Sequence, residues 1–346
     1  MNRSYDKPFM DYDGMINLMQ SSNIDIDNRE FAIQSLREYS YYTLVNGYKD
    51  TFLAIPGTDC FRPGTNFSDI LTLHLIDVDV NVLVLKYILS IENSLKSKLA
   101  YLISEKYGVW TDVSAFDIEN PNDYLCRSNY SNNRHIKPLR NNRLKRIKKN
   151  LVLQCRGEKK IRSEALKHYI EHHNHIPPWI LMTEIPFADA INWYSILQSK
   201  DKDEITDLFL SSHLSSDDKK EFLKQALELL RQYRNKIAHN HRTFNVRDLP
   251  VLPKTSYLLL TNGSLSESEY NNNFGKADLY GVLNACLILF GSPYLGRSLI
   301  RDLHFAFDDY IGKTILGQSI LSIFGLPEDI FERLEKVQEQ KFPNLQ

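Results

Sequence analysis

An all-α fold is predicted by three features of the sequence. Leu223, Leu227 and Leu230 recur at the i, i+4, i+7 spacing that puts side chains on one helix face. Leu85, Ile88, Leu95, Leu99 and Leu102 mark a second, longer stripe. No segment alternates convincingly as a strand, and no repeat of fixed period or low-complexity tract interrupts the helical pattern.

The elements follow in chain order. A short amphipathic helix is expected at about 12–21, and a second begins near Asn28, where the Asp27 carboxylate is placed to accept orphan N–H groups of the first turn. That helix runs into Tyr39-Ser-Tyr-Tyr-Thr-Leu-Val-Asn-Gly-Tyr48, with Gly47 as its stop. The tyrosines read first as packing between small helical units, and second as a base-stacking surface. Cys60-Phe-Arg-Pro-Gly-Thr65 marks a turn. One long helix is expected over 68–106, with a break near Asp77 and Asp79; Glu92 and Lys96 sit at i, i+4, which alone implies no more than a solvated ion pair.

Residues 117–133 are rich in Asn, Asp and Ser and read as a long loop or an insertion. A helix follows at about 163–173. Its end, His172-His-Asn-His175, has no common metal-ligand spacing, so chance clustering is favoured over a metal site. Pro177 and Pro178 suit the mouth of the next helix, which Pro186 kinks or ends. Glu184 lies there among Trp179, Ile180, Leu181, Met182, Ile185 and Phe187, and is therefore buried or partnered. Ser216 or Asp217 caps the leucine-striped helix. Beyond it come a Tyr257-Leu-Leu-Leu260 run and helices at about 277–290, 298–309 and 314–324, with a last one after Pro327.

At 346 residues, 42% hydrophobic and 25% charged, the chain has the composition of a soluble globular protein with one large or two modest domains. No apolar run reaches the ~18 residues of a membrane-spanning helix, and the first residues lack a signal peptide's apolar core, so a cytoplasmic protein without membrane association is expected. Four scattered cysteines, Cys60, Cys126, Cys155 and Cys286, read as reduced thiols. The net charge of −1 argues against nucleic acid, but the distribution does not. Between residues 134 and 162 there are twelve Lys or Arg and one acid, Glu158. Arg134, Lys137, Arg140, Arg143, Lys145, Arg146, Lys148 and Lys149 open this stripe. It suits salt-sensitive phosphate contacts with RNA or another polyanion; a solvated basic loop is the plainer alternative.

The next position on the leucine stripe after Leu230 is Arg234, where an apolar side chain is due. A guanidinium there must be paired or must face a cleft. His239, His241 and Arg242 follow at the helix end. Spacing alone decides little. Four Arg–His pairs separated by four to six residues occur in the sequence (Arg234–His239, Arg234–His241, Arg162–His168 and Arg297–His304), against about one or two expected by chance. Context singles out Arg234, followed by Asn235 and leading into the histidine-rich turn. On an ideal helix an i, i+5 pair is ~7.5 Å apart along the axis and ~140° around it, so one copy supplies half a site and a dimer is implied.

Arg234-Asn-Lys-Ile-Ala-His-Asn-His-Arg242 resembles the Arg-Asn-x-x-Ala-His motif of HEPN ribonucleases. More closely, the chain resembles the bacterial abortive-infection proteins of the AbiD/AbiF type. Lys7-Pro8, the 36–48 segment ending in Asn-Gly-Tyr48, Ile91-Glu-Asn-Ser-Leu-Lys-Ser-Lys-Leu-Ala-Tyr101 and Pro178-Trp-Ile-Leu-Met-Thr-Glu-Ile-Pro-Phe187 are similar to that family's segments and fall in its order, over roughly 7–245. Lys96, Ser40 and Pro186 depart from the pattern.

The resemblance implies a HEPN-like helical bundle at 67–246, preceded by an N-terminal helical unit at 1–66; the basic insertion at about 117–162 and the C-terminal helical extension at 247–346 are read from the sequence and lie outside the match. It implies a homodimeric endoribonuclease needing neither metal nor cofactor, with RNA as substrate and as possible regulator. His239 would be general acid or base and Arg234 would hold the phosphate. Asn235 would orient the pair, with His241 and Arg242 beside it and Glu184, Glu92 and Lys96 in support. A silent RNA-binding protein of the same fold and a helical protein–protein scaffold are the alternatives.

Overall fold

The computed structural model describes residues 7–211, 213–238, 242, 244, 246 and 248–343. Its organising element is one helix. The chain enters through α1 (Tyr12–Ser21), a two-residue strand β1 (Ile24–Asp25), α2 (Arg29–Tyr39), a π-helical turn (Tyr42–Asn46) and α3 (Gly47–Phe52). Strand β2 (Thr65–Asn66) pairs in parallel with β1 and delivers the chain into α4 (Phe67–Tyr107). The Asn66 side chain accepts from Ser68 N at 2.9 Å and caps α4. At 1.5 Å per residue its 41 residues span ~60 Å. Gly108, at φ +83°, ends it with a backbone that only glycine adopts freely.

The expected break at Asp77 does not occur. Asp77 is 2% exposed, and its Oδ2 accepts the Tyr48 hydroxyl at 2.9 Å, so the acid is absorbed by a partner from α3 without opening α4. Two other expectations in this unit also change. Asn28 rather than Asp27 caps α2, because its side chain lies over Phe31 N at 3.0 Å; Asp27 instead accepts from Asn66 Nδ2 at 2.5 Å. Gly47 does not stop a helix: α2 ends at Ser40, whose φ is +65°, and Gly47 is the helical first residue of α3.

After α4, residues 117–133 form a packed connection. Tyr124 and Tyr130 are buried; their hydroxyls donate to the carbonyls of Ile176 (2.9 Å) and Tyr124 (2.8 Å). The basic stripe is largely helix α5 (Lys137–Cys155), followed by α6 (Glu164–His172). α7 (Pro178–Glu184) stops where Pro186 would remove a backbone donor, and α8 (Phe187–Ile196) restarts directly after it. α9 (Ser199–Asp207) leads to α10 (Ser216–Ala238). α10 is capped one residue earlier than the sequence suggests: Ser215 Oγ accepts from Asp218 N at 3.2 Å.

The chain continues through α11 (Lys254–Leu260), α12 (Glu267–Asn271), α13 (Leu279–Leu289) and α14 (Pro293–Phe307). Every residue of α13 is buried, and the helix packs against α4, α10 and α16 (Ile330–Lys341). Between α14 and α16, the predicted 314–324 helix is instead a hairpin of β3 (Thr314–Ile315) and β4 (Gln318–Ser319) with a short α15 (Ile320–Ile323). Its two turn residues, Leu316 and Gly317, both have positive φ, the backbone of a tight hairpin turn. The fold is all-α, and no helix among the described residues is long and apolar enough to cross a membrane.

Candidate functional site

Helices α4 and α10 cross where Glu92 and Arg234 meet. The leucine face of α10 fixes the rotation of that helix, since Leu223, Leu227 and Leu230 are fully buried. Arg234, next along that face, therefore emerges at the edge of the core with its side chain one-third exposed (34%). Glu92 is buried on α4, at 6% exposure. Its Oε1 lies 2.7 Å from Lys96 Nζ and its Oε2 lies 3.9 Å from Arg234 Nη2. A carboxylate in that position is tolerable only because two cations face it. Oε2 makes no hydrogen bond among the described residues. Arg234 Nη1 also points to Asn235 Oδ1 at 3.4 Å. A guanidinium carries five N–H donors, and among the described residues Arg234 hydrogen-bonds only Asn235.

Beside Lys96 the surface opens into a cleft of about 920 Å³ between α4 and α7. Its walls include Asn93, Ser97 and Tyr101 from α4 and Trp179 and Thr183 from α7. Tyr101 and Trp179 are exposed there, at 70% and 46%. Lys96 thus both lines this cleft and pairs with Glu92, which in turn faces Arg234 of α10.

The structure brings together Glu92, Lys96, Arg234 and Asn235. His239 and His241 lie outside the described residues; α10 ends at Ala238, immediately before the first. Arg242 is held apart by α3, with Nη1 3.9 Å from Asp50 Oδ2 and its guanidinium 5.7 Å from the centre of the Tyr48 ring.

Behind Tyr48 is a buried polar group that sequence reasoning missed. The Tyr48 hydroxyl also lies 3.2 Å from His74 Nδ1. Burial and the adjacent Asp77 push the Tyr48 phenol pKa up, and burial pushes His74 down. The available signal was the i, i+3 placement of His74 and Asp77 on an otherwise apolar face of α4. Phe244 then stacks on Tyr48, centroids 6.0 Å apart, and packs at a tilt against Phe324 at 5.0 Å.

Glu184 is not a partner of Arg234 or Lys96. Its carboxylate accepts from Gln154 Nε2 (2.8 Å), Arg162 N (3.0 Å) and Ser163 N (2.9 Å), and so holds the entry to α6. The basic stripe also divides. Lys148 is 1% exposed, ion-paired with Asp123 and 3.1 Å from Thr111 Oγ1. Arg140 is 2% exposed and donates to Ser131 O, Asn132 Oδ1 and Asn141 Oδ1. These two are structural, because α5 must turn some face to the core and their long stems reach buried acceptors. Arg146 is exposed but paired with Asp189, and Arg143 is half-buried. Arg134, Lys137, Lys145 and Lys149 remain exposed, joined beyond the helix by Arg156, Lys159, Lys160 and Arg162.

The comparisons with known proteins give one match. The model of a protein family described as "Abi-like protein" matches residues 34–245, more than half of the chain. No curated protein and no solved structure matches.

Proposed function

The chain belongs to the Abi-like protein family, and from that premise we propose that it is an abortive-infection endoribonuclease of the HEPN type, cleaving RNA without metal or cofactor. The observation that supports this reading is Arg234, a part-exposed guanidinium standing beside the buried Glu92 and the Asn235 amide.

In this reading the ribose 2′-oxygen attacks the adjacent phosphorus. His239 takes the 2′-hydroxyl proton, or, from the partner copy, gives one to the departing 5′-oxygen. The P–O5′ bond breaks, leaving a 2′,3′-cyclic phosphate and a free 5′-hydroxyl. Arg234 neutralises the non-bridging oxygens as charge builds on them, a contribution of about 3–4 kcal/mol for a well-placed donor. Asn235 and Glu92 orient that guanidinium, and Lys96 adds a second positive charge at the cleft mouth. On an ideal helix Arg and His at i, i+5 would diverge by ~140°, and in this reading a second copy completes the site. The exposed cations of α5 and the segment after it hold flanking RNA, substrate or regulatory, by its phosphates.

The test is incubation of the purified protein with end-labelled RNA in EDTA, beside His239→Ala. The expected products carry cyclic phosphates and vanish in the variant; cleavage unchanged by His239→Ala defeats the mechanism. A silent RNA-binding protein is the second reading. It is favoured by the Glu92–Arg234 pair itself, which also serves as a structural tie between α4 and α10. RNA retained without cleavage would support it.

A further inference from the structure

Lys341, the last residue of α16, is a half-buried cation with no anion to meet it. Its ammonium donates to the carbonyl of Phe209, in the connection between α9 and α10, and that is its one hydrogen bond among the described residues. None of their carboxylates pairs with it. The charge that acts on it is a second cation, Lys98 of α4, whose ammonium stands 4.4 Å from the centre of the Phe209 ring. Burial and Lys98 together push the Lys341 pKa down to about 8, and burial pushes Lys98 down as well. The carbonyl end of α16 supplies about half a negative charge, which offsets only part of one ammonium.

Lys341 lines a cavity of about 610 Å³ between the α9–α10 connection, α11, α13 and the end of α16. Leu210, Leu214, Leu259, Leu260 and Ile288 form its apolar wall. Leu259 is 59% exposed, so part of that wall is uncovered among the described residues. Gln340 Nε2 donates to Leu259 O at 2.9 Å and fastens α16 to α11 beside the cavity. Ser211 and His213 are further polar residues of the lining, which holds no acid among the described residues.

We propose that this cavity binds a small amphiphilic anion, of the class of a medium-chain carboxylate, with its headgroup on Lys341 and its chain along the leucines. Three observations choose that chemistry. An ammonium facing a lining without acids attracts an anion and repels a cation. One ammonium in the wall matches a single headgroup charge, not the row of charges on a nucleic acid. The apolar wall and the cavity's size suit a hydrocarbon body, which leaves water on entering. None of the lining residues belongs to the Glu92–Arg234 site, so the inference stands apart from the nuclease reading. The plainer role of Lys341 is a tie from α16 to the Phe209 carbonyl, and that role alone would be indifferent to any ligand.

The experiment is calorimetric titration of octanoate, below its micellar range, into the full chain, Lys341→Met, Lys341→Arg and Leu259→Asp. Octanol and acetate, which lack the charge and the chain respectively, are the comparison probes. Octanoate is expected to saturate the wild type, with affinity reduced at least ~10-fold in Lys341→Met and in Leu259→Asp and largely kept in Lys341→Arg. Octanol and acetate should each bind at least ~10-fold more weakly than octanoate. Octanoate should also shield Lys341 of the wild type from an amine-acylating reagent, read by peptide mass spectrometry, which a purely structural tie would not show. If Lys341→Met does not fold, Leu259→Asp and that shielding decide. The proposal is overturned by a wild type that binds no octanoate saturably, or by a folded Lys341→Met that binds it equally well. Octanol bound as tightly as octanoate also overturns it, leaving Lys341 as the tie alone.

Discussion

Glu92 reaches from the interior of α4 to Arg234 of α10, with 3.9 Å between Oε2 and Nη2. A buried acid therefore sets where the candidate phosphate-binding guanidinium stands. Glu92→Ala removes the counter-charge of Lys96 and Arg234 together. Because both cations are partly solvated, the expected loss is about 1–3 kcal/mol rather than the ~3–5 of a fully buried pair. Urea denaturation reads this, and RNA cleavage should fall further than the stability loss explains.

Arg234→Lys keeps the charge and loses the planar fork. Cleavage is expected to drop by about 10²-fold, the value of one well-placed donor, while the melting temperature changes little. A drop in melting temperature that accounts for all lost activity would assign Arg234 to the α4–α10 contact alone.

Copies that are separately inactive should complement. When Arg234→Ala and His239→Ala chains are mixed and allowed to exchange, half the dimers are mixed, and one of the two sites in each is intact if Arg and His come from different copies. About a quarter of wild-type cleavage should return. If each copy used its own pair, the mixture would stay silent.

Lys148 and Lys149 are neighbours with opposite expected phenotypes. Lys148→Ala leaves Asp123 buried without its ion-pair partner and should cost about 3–5 kcal/mol in a denaturant titration. Lys149→Ala should leave stability within ~0.5 kcal/mol. It should weaken RNA binding with little regard to sequence and lower the salt slope by about 1.

His74 has a folded-state pKa below its ordinary value because burial opposes its charge. The unfolded chain therefore binds a proton that the folded one resists, and the stability His74 contributes is present above pH ~6.5 and is lost as pH falls through the depressed folded value. The urea midpoint of the wild type should decline across that window more than that of His74→Gln; parallel declines would place the acid sensitivity elsewhere.

The helices, the α7–α8 interruption at Pro186 and the exceptional place of Arg234 were legible in the sequence, because periodicity and proline act locally. What was not legible depends on contacts distant in the chain. Asp77 looks like a helix breaker until Tyr48 is seen to meet it. Glu184 sits among apolar residues in sequence, but what it meets are the backbone N–H groups of Arg162 and Ser163. Lys148 and Lys149 differ by 100° of helix rotation, which a charge count cannot see. The 314–324 hairpin turns on two positive φ values in a stretch apolar enough to resemble a helix.

The unbroken course of α4 has one more consequence. Between Asp77, which receives Tyr48, and Glu92, which receives Arg234, lie fifteen helical steps, or ~22 Å of rigid rod. α4 is thus a ruler as well as a wall: it sets the spacing between the Tyr48 anchor under Arg242 and the guanidinium of Arg234. The distance between these two marks is therefore fixed by continuous helix rather than by a loop.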